Sequence, residues 1–419
     1  MTRKPGLYAW VAFALVFGLM LSDYLSRQVI TAIFPPLKSE WELTDTQLGS
    51  LVSVVSLTVG VFTLPISFLA DRWGLVKSAA LMALCWAMAT IACGFAGNFV
   101  FLFVARALVG LAEAGYGSAG GAILTSIFPP RLHATVMGSF IAAGLFGSVL
   151  GVGLGGVLAN SLGWRAVFII VGAAGVLLAV VFPLVVREPR RAGVPSGSSV
   201  HEPVPVRAAI GLLFSSRTAV FTYMGAGLQW FTITAVIVWM PSYFNRYYGL
   251  APSEAGLRAA GLLLVSAIGM ISCSMLADRL SRRNAANKLR IASIYAVLAC
   301  ALLVIAFMQP PGPAQIILLG VGMFVSGGIA GPAAATIVKV TDARIRATAL
   351  GFVTVCNQLL GLAPGPFVTG LVADHLGLKQ ALGLAPLVSL LAFACLLIAH
   401  RHCERDQQSL AQREASSLA

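Results

Sequence analysis

Charge is what this chain has least of. Lys, Arg, Asp and Glu make up 10% of its 419 residues, and only 15 residues are acidic. A soluble domain carries about 25% charged residues, so a surface facing mostly water is excluded. Histidine is scarce too, at five, and no His-Glu-x-x-His run occurs. Ser118 lies in a glycine-rich stretch, but Tyr116 stands where a Gly-x-Ser-x-Gly elbow needs its first glycine. No phosphate-binding loop is present either. These absences argue against an enzyme and against a nucleotide-driven pump, and no cofactor or metal is expected. The seven cysteines (Cys85, Cys93, Cys273, Cys300, Cys356, Cys395 and Cys403) include no Cys-x-x-Cys pair. They read as packing residues rather than a disulfide framework or metal site.

What the chain has in excess is apolar length, with hydrophobic residues at 58%. Runs long enough to cross about 30 Å of hydrocarbon recur throughout. Twelve are expected, near 8–33, 46–70, 76–97, 99–126, 133–160, 164–186, 216–244, 253–277, 287–308, 314–338, 346–372 and 380–400. Backbone polar groups in lipid must be satisfied within the segment, so each run reads as a helix. Period-2 alternation is missing, which argues against a barrel. Arg3 and Lys4 precede the first run as in a signal peptide. That run continues to Ile33 without a small-residue cleavage site, so it reads as the first span.

The net charge of +13 invites a nucleic-acid partner, but its placement speaks for topology. With the N-terminus inside, twenty-one of the 28 Lys and Arg fall on one side of the bilayer, in the tails, the even-to-odd loops and the central loop. Lys38, Arg165, Arg246, Arg258 and Lys379 fall on the other, and Arg27 and Arg106 lie within spans. This positive-inside bias predicts a bacterial-type inner membrane protein with both termini cytoplasmic. Its partners are then the bilayer and a small solute, not nucleic acid.

A repeat organises the chain. Leu-Ala-Asp-Arg occurs at Leu69–Arg72 and again at Leu276–Arg279. Arg131-x-x-Ala134-Thr135-x-x-Gly138 is matched by Arg344-x-x-Ala347-Thr348-x-x-Gly351. Leu158-Ala159-Asn160-Ser161-Leu162-Gly163 is matched by Val372-Ala373-Asp374-His375-Leu376-Gly377. The expected fold is therefore an all-α membrane protein of twelve transmembrane helices in two pseudo-symmetric six-helix bundles. Residues 1–186 form the first bundle and 187–215, rich in Pro, Gly, Ser and charge, a cytoplasmic linker. Residues 216–400 form the second bundle, and 401–419 a cytoplasmic tail. Parallel repeats of this kind place a substrate site near the midplane.

A twelve-span repeat with a basic central loop resembles the major facilitator superfamily. The signature between spans 2 and 3, Gly-x-x-x-Asp-Arg-x-Gly-Arg-Arg, stands here as Ser67-x-x-x-Asp71-Arg72-x-Gly74-Leu75-Val76-Lys77. The second copy is Ser274-x-x-x-Asp278-Arg279-x-Ser281-Arg282-Arg283. The resemblance implies that Asp71, Arg72, Asp278 and Arg279 latch a cytoplasmic gate. Charge that only sets topology is the alternative reading. Ser26-Arg27-Gln28-Val29, Leu43-Thr44-Asp45-Thr46-Gln47-Leu48-Gly49 and Leu111-Ala112-Glu113-Ala114-Gly115 look like two branches, the anion:cation symporters and the spinster-like lipid transporters. Both often carry Asp directly before the first-span Arg. Here Ser26 holds that place and Asp23 lies one turn earlier.

The deep charges are four: Asp23, Arg27, Arg106 and Glu113. Each costs roughly 2.5–3.5 kcal/mol at a helix centre, so they must pair or face water. Asp23 and Arg27 share a face at i,i+4, and Arg106 and Glu113 share one at two turns. If spans 1 and 4 line the cavity, as the resemblance implies, two cations sit above two carboxylates. Arg27 and Arg106 would hold a carboxylate, sulfonate or phosphate. Asp23 or Glu113 would carry the proton. Static ion pairs are the alternative. The second half supplies Gln229, Trp230, Asn357 and Gln358 as further substrate contacts, with core packing an equal alternative for each. The expected function is proton-coupled uptake of a small organic anion by alternating access, in a monomer. Export or flipping of lysolipids or amphipathic compounds is the runner-up. A sensor that keeps the fold without turnover is a third class. Gly147-x-x-x-Gly151-x-x-x-Gly155 in span 5 reads as close packing or as a rocking interface.

Overall fold

The structure is a computed structural model that describes residues 6–129, 132–188, 211–281 and 287–418. Most of the expected linker and Arg131 lie outside the described residues. Among the described residues, twelve helical spans are long and apolar enough to cross a membrane, from Leu7–Ala32 to Leu378–Leu410. Their bounds follow the apolar runs to within a few residues at most ends. Among the described residues there is no strand. Many large apolar side chains stay exposed on the spans, among them Phe101, Phe146, Leu154, Leu177 and Leu391. In a protein whose solvent is hydrocarbon, such exposure carries no penalty.

In the first half the helices are α1 (Leu7–Ala32), α2 (Phe34–Trp41), α3 (Asp45–Trp73), α4 (Leu75–Gly94), α5 (Phe99–Glu113), α6 (Tyr116–Ile127), α7 (His133–Leu162) and α8 (Trp164–Val185). They are followed by α9 (Arg217–Tyr248), α10 (Pro252–Leu280), α11 (Asn287–Met308), α12 (Pro313–Ser326) and α13 (Ala330–Val340). The last are α14 (Arg346–Asn357), α15 (Pro364–Leu376), α16 (Leu378–Leu384) and α17 (Val388–Leu418). The chain divides into two compact units, residues 1–195 with 238–261, and residues 196–237 with 262–419.

Several spans are not the uniform helices that hydropathy suggests. Span 4 breaks directly after Glu113, and α6 starts at Tyr116. Span 10 tightens to a 3-10 turn at Gly327–Ile329. Span 11 widens to a π-helical turn at Gln358–Leu362, where the Ala363 amide donates to the Gln358 carbonyl at 2.8 Å. Pro364 starts the next segment, and a proline that cannot donate suits a helix start. The expected tail, 401–419, continues the last helix as far as it is described. Helix α17 runs on to Leu418, and Asp406 on it accepts from the Ser216 hydroxyl at 2.6 Å and the Thr218 amide at 2.8 Å. That carboxylate caps the start of α9, where orphan amides and the helix dipole both favour an anion.

The glycine stripe of span 5 packs on α1. A Cβ on Gly147 would collide with the Leu21 carbonyl, and one on Gly151 would stand 2.8 Å from the Leu25 carbonyl. One on Gly155 would stand 2.9 Å from Val29 Cγ2. The close approach of α7 to α1 therefore depends on the missing side chains. We expect Gly147→Leu to prevent accumulation of folded protein, read as loss of the monodisperse peak in detergent. A normal yield and melting curve would contradict this packing. The first unit's core is built on Leu19, Trp86, Tyr116 and Phe140, with the Tyr116 hydroxyl donating to the Val16 carbonyl at 2.9 Å. The second unit's core holds Tyr223, Tyr295, Ile337 and Leu396, and Tyr295 donates to the Cys273 carbonyl at 3.1 Å.

Candidate functional site

Four helices place the deep charges together in the first unit. The i,i+4 spacing on α1 brings the Arg27 Nε to 3.1 Å from Asp23 Oδ1. The same Nε lies 2.6 Å from Glu113 Oε2 at the end of α5. One N–H is thus shared by two carboxylates, which are 4% and 0% exposed. Tyr24 supports the guanidinium from one side, with Cζ 5.2 Å from the ring centroid. Gly144 of α7 makes room for that ring, since a Cβ there would stand 3.0 Å from it. The Nη1 and Nη2 groups of Arg27 make no hydrogen bond to protein among the described residues. Because the side chain is 13% exposed, this bare edge holds four N–H donors in the fork that matches a carboxylate or phosphate.

Ser26 completes the carboxylate's surroundings. Its hydroxyl lies 2.7 Å from the Asp23 carbonyl and 3.2 Å from Glu113 Oε1, and its single hydrogen serves one at a time. Sequence reasoning noted Ser26 only as a departure from the resembling branches. The structure shows it standing against Glu113 where those branches often carry a carboxylate.

Arg106 has partners other than those expected. It is 1% exposed, and it donates to three backbone carbonyls rather than to a carboxylate. Nε meets Leu51 O at 3.1 Å, Nη1 meets Ser26 O at 3.0 Å and Nη2 meets Arg27 O at 3.1 Å. It therefore bolts α5 to α1 and α3 at the level of Arg27. Gly110, one turn along α5, sits so close to α3 that a Cβ would strike Thr58 Oγ1 and Val55 O. Together these contacts hold α5 in the register that delivers Glu113 to Arg27. Charge-assisted bonds of this kind contribute about 1.5–3 kcal/mol each, less the desolvation that removal recovers. Arg106→Gln is expected to destabilise the protein by on the order of 3 kcal/mol, seen as a melting shift of several degrees. Unchanged melting with lost anion affinity would instead show a direct ligand role.

In the second unit the carboxamides are buried and under-satisfied. Gln229 is 1% exposed, donates weakly to the Ser326 carbonyl at 3.5 Å, and has no donor for its Oε1 among the described residues. Asn357 Oδ1 and Gln358 Oε1 are also buried without a donor among the described residues. Gln358 opens the π-helical turn of span 11. Such turns concentrate at functional places, and a buried orphan oxygen is costly unless something meets it. Trp230 packs against Gly361, where a Cβ would stand 2.5 Å from the Trp230 Cβ.

The repeated Asp-Arg device is only partly described. The Asp71 side chain lies outside the described residues, and Arg72 and Arg279 are exposed. Ser67, at the signature's first position, hydrogen-bonds Ser118 at 3.0 Å. Asp278 pairs with Lys288 in the first turn of α11 at 2.5 Å. Sequence reasoning missed Glu188. Its carboxylate accepts from the Leu75 amide at 2.6 Å and the Val76 amide at 3.0 Å, so it caps α4. Gly74, at φ 108°, leaves the space that this carboxylate fills. The residue sits in a charged, proline-rich stretch that reads as linker, which hid it.

Comparison with known proteins agrees with this architecture. An uncharacterized transporter of Bacillus subtilis (strain 168) is 26% identical over 64% of this chain, which spans 65% of that protein's length. An MFS-type efflux pump of Mycolicibacterium smegmatis (strain ATCC 700084 / mc(2)155) is 27% identical over 95% of this chain and 94% of its own. A probable L-galactonate transporter of Escherichia coli (strain K12) is 25% identical over 87% and 83%. The fold superimposes on a bacterial homolog of the human lysosomal transporter Spinster, crystallised inward-facing and unoccupied. The TM-score is 0.87 and the identity 23%, over 97% of this chain and 99% of that one. The sequence pattern of the Major Facilitator Superfamily matches residues 16–366. This chain is an integral membrane transporter of the Major Facilitator Superfamily, similar both to sugar-acid transporters and to the spinster fold.

Proposed function

We propose that this protein is a proton-coupled symporter that takes up a small organic anion. The observation that carries the reading is the division of labour on Arg27. Its Nε edge is shared by Asp23 and Glu113, and its Nη edge has no protein partner among the described residues. With both carboxylates ionised, Arg27 and Arg106 balance them and the four-residue cluster is neutral. One proton makes the cluster +1, and a bound monoanion restores neutrality. Proton and anion therefore stabilise each other, because a net charge in a low-dielectric site is costly. By that sign, anion affinity rises as pH falls through the titration of the carboxylate and weakens as pH rises.

Glu113 is the proposed proton carrier and Asp23 the resident counter-ion. Glu113 ends its helix at the break in span 4, and it faces both Arg27 and the rotatable Ser26 hydroxyl. The substrate class to test first is a hydroxycarboxylate, since a relative named as a probable L-galactonate transporter aligns over 87% of this chain. Gln229, Asn357 and Gln358 hold orphan acceptor oxygens that hydroxyl donors would satisfy. Trp230 is a proposed apolar contact. Excess Lys and Arg on the termini side supports an inner-membrane orientation with both termini cytoplasmic. Asp71, Arg72, Asp278 and Arg279 on that side are the proposed cytoplasmic gate.

Export of a lysolipid or amphipath is a second reading. It is favoured by a half-open apolar groove of about 590 Å³ between α3, α4 and α5, lined by Ile66, Trp73, Met82, Cys85 and Leu108 among others. A thermal-shift screen of sugar acids, simple carboxylates and lysolipids on the purified protein at two pH values separates the readings. Stabilisation by an acid that grows at the lower pH supports symport. Stabilisation by lysolipids alone would replace it with the second reading.

A further inference from the structure

Residues 238–261 group with the first unit, although α9 begins in the second unit and α10 ends there. Three attachments hold this segment on the first unit. Trp239, fully buried, packs on Phe34 with ring centroids 5.3 Å apart. Gly156 of α7 meets the start of α10, where a Cβ would collide with the Pro252 carbonyl, and Gly256 lies back against Gly156. The third attachment is ionic. Arg246 grips Asp45 with both ends of its fork, Nη1 to Oδ2 at 2.7 Å and Nη2 to Oδ1 at 2.6 Å. Lys38 Nζ lies 2.5 Å from the same Asp45 Oδ1.

This arrangement is built to open. Asp45 is 3% exposed, and a buried carboxylate stripped of its only cation is strongly destabilising. Lys38 removes that obstacle. When Arg246 leaves, Lys38 still pairs with Asp45, and Arg246, already 27% exposed, passes into water. The helix start does not rely on Asp45 for its cap either, because Thr44 and Gln47 form a capping box there. Ser242 lies on α9 between Trp239 and Arg246, fully buried, with a hydroxyl lacking any partner among the described residues. That hydroxyl gains water when the segment lifts.

We propose that Asp45–Arg246 is a reversible latch. Lys38 is the standby cation that keeps Asp45 paired when Arg246 lets go, and release frees residues 238–261 from the first unit. Asp45 starts α3 beyond the far end of α1 from Leu7, the end that the proposed orientation puts outside the cell.

The test is thiol labelling, which does not depend on substrate or protons. Ser242→Cys is placed in the full-length protein with the seven native cysteines replaced. A membrane-impermeant maleimide is applied to right-side-out and, separately, inside-out vesicles. Arg246→Gln should raise the labelling rate about tenfold, the low end of what close, partly buried charge pairs contribute. Lys38→Met should lower it below the unmutated rate, since Asp45 then has Arg246 as its main cation. Arg246→Lys, which keeps the charge but loses the fork, should fall between, and it carries the test if Arg246→Gln does not fold. A rise with Lys38→Met, or no change with either Arg246 variant, would overturn the latch. Labelling from the wrong side would overturn the orientation and leave the latch standing.

Discussion

Arg27→Gln is expected to cost roughly 30- to 5,000-fold in kcat/KM for anion uptake, the range seen when one member of a buried charge pair is truncated. The loss has two sources. The bare Nη edge that would take the anion disappears, and Asp23 and Glu113 are left facing each other without the Nε–H they share. The two carboxylates then share a buried site with no cation between them, so proton coupling should fail along with binding. Arg27→Lys separates the two roles. A single ammonium can satisfy the carboxylates, but it cannot also present a planar fork to the substrate. Its expected signature is a raised KM with a smaller change in kcat. The measurement is uptake of labelled anion into proteoliposomes, with melting curves as a folding control. Arg27→Gln transporting within threefold of the unmutated protein would remove Arg27 from the site.

Glu113→Gln is expected to uncouple the protein rather than silence it. The glutamine fixes the cluster at one positive charge, so anion binding should persist and lose its pH dependence. Exchange of external for internal anion should continue, because it needs no net proton movement. Accumulation driven by a pH gradient should vanish. Asp23→Asn should weaken uptake while leaving its dependence on the gradient, since Asp23 is assigned as counter-ion. If the two phenotypes exchange, the proton belongs to Asp23. Full gradient-driven accumulation by Glu113→Gln would exclude Glu113 as carrier.

Much of this was legible in the sequence, and the reasons are physical. Hydrocarbon thickness and backbone satisfaction fix where spans lie, so the twelve apolar runs translate directly into twelve helical spans among the described residues. Asp23 and Arg27 were readable as a pair because four residues make a turn. The same geometry put Arg106 and Glu113 on one face, but a shared face does not choose a partner. Arg106 turned to the carbonyls of Leu51, Ser26 and Arg27, and no pattern in the chain marks a backbone carbonyl as an acceptor. The break after Glu113 and the π-helical turn at Gln358 also escaped, because hydropathy does not distinguish helix types. Glu188 and the Asp45–Arg246 pair join residues 112 or more apart. Sequence spacing carries nothing across such distances. The small-residue stripe of span 5 was readable as close packing, and it does pack on α1. Nothing in its spacing announced that Gly156 serves a different neighbour from Gly147, Gly151 and Gly155.

The charge balance of Asp23, Arg27, Arg106 and Glu113 makes one demand that a single measurement reaches. Proteoliposomes loaded with a pH-reporting dye and no pH gradient are given a monoanionic substrate found by the thermal-shift screen. One proton should enter with each anion, so the lumen acidifies in step with uptake of label. The movement is electroneutral, and a potassium diffusion potential should leave its rate unchanged. Uptake without lumenal acidification, or uptake whose rate follows the imposed potential, would contradict the proposed mechanism.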